Sequence, residues 1–224
     1  SISTNLNKID KIIDLSNNND EVFFTVGVHP NEVLKDSNNS NYDLIHNISK
    51  KNKCVGIGEC GLDYHYGKET INKQKNSFIT QINVARDIGL PLIIHSRDAD
   101  EDMIKILTSE YKKGSFKAIL HCFSSGKKLA LCGVELGFYI SFSGIVTFNS
   151  AKLIQEVAML VPKDKILVET DAPYLSPTPL RGTINEPKNC QITAKFLSDI
   201  RKIDFNKFVG QLNMNSYKIF DKMF

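Results

Sequence analysis

Apolar residues along this chain gather into short, nearly continuous runs, each followed by polar turn residues and then by a stretch of helical period. Six runs stand out: Val22 to Val28, Cys54 to Ile57, Pro91 to Ile94, Phe116 to Leu120, Phe138 to Phe142 and Ile166 to Val168. Strands covered on both faces have this unbroken character, whereas a strand with one wet face alternates. Between the runs, Thr70 to Ile88 sets Ile71, Phe78, Ile82, Ala85 and Ile88 on one stripe of a predicted helix. Asp98 or Asp100 is placed to cap a second helix running through Tyr111, and Ala151 to Leu160 has the same period. Strand and helix in alternation predict an α/β fold with a parallel sheet. The polar stretches Ser16 to Asp20 and Asp36 to Asn41 are short and loop-like, and no repeat interrupts the pattern. The expectation is a single domain over residues 1–224.

The polar residues that end these runs carry the chemistry, because an α/β barrel builds its sites where strands give way to βα loops. The first run meets His29-Pro30, the second Gly58-Glu59-Cys60-Gly61-Leu62-Asp63, and the third His95-Ser96-Arg97-Asp98. His121-Cys122-Phe123 follows the fourth, and Glu169-Thr170-Asp171-Ala172-Pro173-Tyr174 follows the last. Any one of these could cap a helix or bond a loop carbonyl. Two imidazoles and two carboxylates converging on one mouth, however, would leave like-charged acids buried unless a cation neutralised them. Glu59, His95, His121 and Asp171 are therefore candidate metal ligands. A mixed nitrogen and oxygen set suits Zn, Mn, Fe or Ni, while Mg prefers more oxygen.

Composition narrows this picture only a little. The 224 residues, 42% hydrophobic, suffice for a substantial core, and a net charge of +3 neither demands nor excludes a polyanionic ligand. No apolar run approaches the ~20 residues of a membrane helix, so a soluble, cytoplasmic protein with no membrane partner is expected. Five scattered cysteines without a Cys-x-x-Cys pair argue against a disulfide framework. Cys60 and Cys122 read as small buried residues, and His46 as structural. Lys112-Lys113 and Lys127-Lys128 read as helix-surface charges rather than a nucleic-acid stripe.

Gly27-Val28-His29-Pro30, Gly58-Glu59-Cys60-Gly61-Leu62-Asp63-Tyr64, His95-Ser96-Arg97-Asp98-Ala99, His121-Cys122-Phe123 and Glu169-Thr170-Asp171-Ala172-Pro173-Tyr174-Leu175, with Arg181-Gly182 and Asn185-Glu186-Pro187 after them, resemble the TatD family of metal-dependent deoxyribonucleases. The match spans nearly the whole chain. It implies a TIM-type (β/α)8 barrel of the metallo-dependent hydrolase superfamily, with Glu59, His95, His121 and Asp171 as ligands to one or two divalent cations (Mg, Mn or Zn). It also implies phosphodiester hydrolysis with DNA as substrate, commonly in an exonuclease; separately, a monomer is expected and no stable protein partner is inferred. The family's first strand ordinarily carries a His-x-His pair, and no histidine precedes His29 here. Six runs plus a stub at Ser1-Ile2-Ser3 also fall short of eight strands. The chain thus reads as a barrel lacking its first strand, first helix and most of its second strand, with one well-formed metal position and a weak second one.

In that reading Glu59 bridges the cations and Asp171 binds metal or takes a proton from the attacking water, the two being the catalytic candidates. His29, Arg97 and Arg181 contact substrate phosphates. Asp63 and Tyr64 lie beside the substrate, with Asp63 alternatively orienting a ligand. His65, Tyr64, Phe123 and Tyr174 are further candidates for substrate contact or rim packing. Two other functions stay open: a barrel amidohydrolase or phosphoesterase acting on a small substrate, and a non-catalytic barrel remnant.

Overall fold

A computed structural model describes residues 1–34 and 42–223. The stretch Asp36 to Asn41, read as a loop, lies outside the described residues. Among the described residues six strands run in chain order in one sheet, from β1 (Phe24–Val26) and β2 (Cys54–Asp63) through β3 (Leu92–Arg97), β4 (Ala118–Leu120) and β5 (Tyr139–Phe142) to β6 (Ile166–Val168). Pairing is parallel between β1 and β2, β2 and β3, and β5 and β6. Helices α1 (Ile9–Asn17), α2 (Tyr42–Ser49), α3 (Ile71–Ile88), α4 (Asp100–Lys113), α5 (Lys127–Glu135), α6 (Lys152–Leu160), α7 (Cys190–Ile200) and α8 (Phe205–Ile219) intervene or follow. This is the βα succession expected of a TIM-type barrel. The chain divides into two compact units, Ser1–Ile119 with Ile219–Phe224, and Leu120–Lys218.

In the first unit Phe24, Val26, Ile57, Leu62, Leu92 and Ile94 of the strands are fully buried against Phe78 and Ile82 of α3 and Met103 of α4. Each strand departs from its apolar run for a local reason. Opposite Ile93 of β3, the register of β2 shifts between Ile57 and Cys60, so that Gly58 and Glu59 form a bulge. Gly58 sits at φ +138°, and a Cβ there would meet the Ile93 carbonyl at 2.6 Å, so only glycine fits. Beyond the bulge β2 resumes, pairing Gly61 with His95, Leu62 with Ser96 and Asp63 with Arg97. Polar residues at the ends of these runs therefore lie within strands, because backbone pairing continues where side-chain hydrophobicity stops. The stub at Ser1-Ile2-Ser3 is not a strand, yet its carbonyls accept from Thr25 (3.1 Å) and from the bulged Glu59 (2.8 Å).

Beyond β1 a buried glutamine of α3 takes over the backbone. Gln81 accepts from the Val28 N–H (2.9 Å) and donates to the Val28 carbonyl (3.1 Å). One helical repeat earlier, Gln74 does the same for Asp63, accepting its N–H at 2.8 Å and donating to its carbonyl at 3.0 Å. α3 closes on Gly89, whose φ of +76° and N–H bond to Ala85 form a left-handed cap. α4 has no side-chain cap from Asp98 or Asp100. Instead Asp100, Glu101 and Asp102 fill its first turn and Lys112 and Lys113 its last, in line with the helix dipole.

In the second unit Phe142, Ile140 and Ile166 are buried with Leu129, Ala158, Leu197 and Phe208 of the helices. Buried Asn215 of α8 donates to the carbonyls of Lys163 (2.9 Å) and Ile166 (2.8 Å), tying that helix to the start of β6. Among the described residues no helix is long and apolar enough to cross a membrane.

Replacing Gln81 by Leu leaves the buried Val28 N–H and carbonyl without partners, each worth about 1–3 kcal/mol. Chemical denaturation should show Gln81→Leu less stable by about 2 kcal/mol or more, with Ile82→Val costing about 1 kcal/mol as a packing control.

Candidate metal centre

In the first unit the bulge turns the Glu59 carboxylate toward two imidazoles. Its Oε1 lies 3.0 Å from His95 Nδ1 and 3.4 Å from His29 Nε2. One ligand atom from each of His29, Glu59 and His95 falls within 4.8 Å of the others, and all three side chains are half-buried. The two rings meet edge to face with centroids 4.6 Å apart. His95 is held from below by Gly61, at φ +137°, where a Cβ would come within 2.0 Å of the His95 carbonyl.

The second nitrogen of His95, Nε2, faces Asp63 Oδ2 at 3.2 Å. Both ring nitrogens thus confront a carboxylate, and a neutral imidazole has one proton to donate. One proton cannot serve both contacts, so the arrangement calls for a second proton or a cation between the ring and a carboxylate. The donor set fits a divalent metal. His29 is differently placed: its Nδ1 accepts the Asn31 N–H at 3.1 Å, which assigns its proton to Nε2 and aims a donor at Glu59. The sequence reading set His29 apart as a phosphate contact, whereas the structure groups it with Glu59 and His95.

Asp63 is 1% exposed. Burial opposes its ionisation, but hydrogen bonds from His95, the Tyr66 N–H and the Asn31 amide outweigh that and hold its carboxyl below the usual range. Tyr64, expected beside substrate, donates to Asp102 at 2.9 Å, and its phenol is pushed up by burial and by that bond. The Arg97 guanidinium stacks on Tyr66, 4.8 Å from the ring centroid. His65 pairs with Asp98 at 3.0 Å. Cys60 is buried, which pushes its thiol well up and leaves it without nucleophilic character. His46 stacks on Tyr42.

In the second unit His121 follows β4 directly, and its Nδ1 contacts Glu169 Oε1 at 3.1 Å. Ser141 donates to the other Glu169 oxygen at 2.6 Å. Glu169 was not among the sequence-predicted ligands or supports. A carboxylate on Nδ1 fixes the tautomer whose Nε2 carries the lone pair, the form that binds a metal. Asp171 lies two residues on, at φ +60°. Its loop is pinned by buried Asn185, which donates to the carbonyls of Thr170 (2.9 Å) and Tyr174 (2.7 Å). Arg181 stacks on Phe148, 4.5 Å from the centroid. Phe123 packs inside against Phe142, while Tyr174 is 71% exposed.

The sequence matches the family model described as TatD related DNase over residues 1–221. The chain belongs to that family. This TatD chain is 35% identical over 212 residues to the uncharacterized metal-dependent hydrolase YabD of Bacillus subtilis, across 95% of its own length and 82% of that protein's. It is 38% identical over 209 residues to the uncharacterized metal-dependent hydrolase YcfH of Escherichia coli K12, across 92% and 77% respectively. The solved structure of YJJV, a TatD homolog from Escherichia coli K12, matches with a TM-score of 0.90 at 24% identity, over 98% of this chain and 85% of that one. The TIM-type barrel expected from the sequence is the fold, and the TatD chain is a metal-dependent hydrolase.

Two variants test the supports of the histidines. With a chelator present, Asp63→Asn should lose about 2 kcal/mol or more at neutral pH. Because the folded carboxyl titrates below its unfolded value of ~3.9, its contribution is complete above that pH and fades below it. Urea titrations should therefore show the gap between Asp63→Asn and wild type closing as pH falls below about 4. Glu169→Gln should weaken Zn or Mn binding about 10–100-fold in calorimetric titrations while leaving the thermal midpoint of the metal-free protein within a few degrees.

Proposed function

We propose that this chain hydrolyses phosphodiester bonds of DNA, with a divalent cation held by Glu59 and His95. The observation that carries the reading is the placement of both His95 nitrogens between two carboxylates, a geometry that suits a cation. The family description, TatD related DNase, supplies the substrate class. A bound cation would polarise the phosphoryl group and acidify a water molecule. The chain's own residues do the rest. Asp63 orients the His95 ring through Nε2, and Glu59 contributes negative charge. His29 presents its Nε2 proton as a donor, suited to a phosphoryl oxygen. In the second unit Glu169 orients His121 in the tautomer suited to a metal, and Asp171 offers a carboxylate suited to take a proton from water. Each unit has an arginine laid on an aromatic ring, Arg97 on Tyr66 and Arg181 on Phe148, suited to bind a phosphate through paired N–H groups.

The test is a substrate panel of DNA oligonucleotides, carboxylic esters and amides, each with added Mg, Mn or Zn. DNA cleavage should depend on the metal, vanish with EDTA and return on readdition. Glu59→Ala and His95→Ala should lower kcat/KM about 100-fold or more. Ester or amide turnover without DNA cleavage would refute the proposal, as would full activity in both variants.

A further inference from the structure

Wholly within the first unit, and linked to His95 through Asn31 and the Asp63 carboxylate, lies a cavity of about 520 Å³ lined by Asn31, Leu34, His65, Tyr66 and the Gly67–Thr70 turn. Tyr66 is 70% exposed, with the Arg97 guanidinium 4.8 Å from the ring centroid and His65 edge-on at 4.6 Å. An exposed tyrosine is ordinarily mobile, but the backbone beneath this one is fastened. Asp63 Oδ1 accepts from the N–H groups of both His65 (3.0 Å) and Tyr66 (3.0 Å). Gln74 donates to the Gly67 carbonyl (3.0 Å) and Gly67 N–H to the Asp63 carbonyl (3.2 Å), closing the turn. The other oxygen of the same carboxylate receives His95 and Asn31. One side chain therefore sets the position of the aromatic wall relative to the metal-ligating imidazole.

We propose that this cavity is a nucleobase subsite, in which Tyr66 stacks on the base adjoining the phosphate engaged at His95. The inference rests on the DNase reading and adds a recognition element to it. The volume accommodates a base and its sugar, and the wall carries an exposed aromatic ring on a fastened backbone, with Arg97 over the ring. Cationic Arg97 and Lys68 border the same turn, where a phosphate backbone would run, while Glu69 and Asp98 keep the patch from being a general polyanion trap. Stacking on an aromatic ring is sequence-tolerant, so the subsite reads the presence of a base rather than its identity.

The experiment compares two oligonucleotides, identical except that one carries an abasic sugar next to the labelled scissile phosphate. Wild type and Tyr66→Phe should favour the base-bearing strand by about ten-fold in kcat/KM, mainly through KM, and Tyr66→Ala should treat the two within about two-fold. Each ratio is taken within one protein, so partial loss of folded enzyme cancels. A preference retained in Tyr66→Ala, or absent from wild type, overturns the subsite and leaves the DNase reading standing. If wild type cleaves neither strand with Mg, Mn or Zn, the DNase reading fails and binding decides the subsite. Quenching of a 2-aminopurine trinucleotide by wild type and Tyr66→Phe but not by Tyr66→Ala then supports it, and no quenching by wild type overturns it.

Discussion

Burying a carboxylate costs several kcal/mol unless its oxygens are satisfied, and the donors that satisfy Asp63 are the parts the first unit must hold in register. His65 and Tyr66 N–H groups meet one oxygen, and the Asn31 amide and His95 the other. Its own backbone is gripped at both ends by Gln74. The strand end, the turn after it, the loop after β1 and the metal-ligating ring are thus fixed to one ionised group.

The bulge at Gly58 and Glu59 serves the same end from the other side. It removes Glu59 from the regular alternation of β2, and the N–H it releases is taken by the Ser3 carbonyl. Side chain and backbone of Glu59 are thereby satisfied by different parts of the chain, and the carboxylate is free to face His95 and His29 at one height.

Much of this was legible in advance, and the illegible parts share a cause. All six apolar runs became strands, because continuous burial leaves a strong hydrophobic trace. The extension of β2 to Asp63 and of β3 to Arg97 left none, since it rests on backbone pairing through Gly61 and His95. Glu59 and His95 were recognisable as chemistry at strand ends, whereas the grouping of His29 with them depends on the loop that follows β1. Gln74 and Gln81 were passed over on a stripe otherwise apolar. Their spacing of seven, the same face two turns apart, is the signal that would have marked them. Glu169, which stood in a motif with no role of its own, is the support of His121.

The two glutamines have one more consequence. They stand on one helix and hold the backbone N–H and carbonyl of Val28, beyond the end of β1, and of Asp63, the last residue of β2. Neither amide can exchange its proton with solvent while α3 is seated, and lifting that helix exposes both together. The ends of β1 and β2 therefore form one cooperative opening unit, so thermal fluctuation loosens the loop bearing His29 and the turn bearing Tyr66 in concert rather than separately.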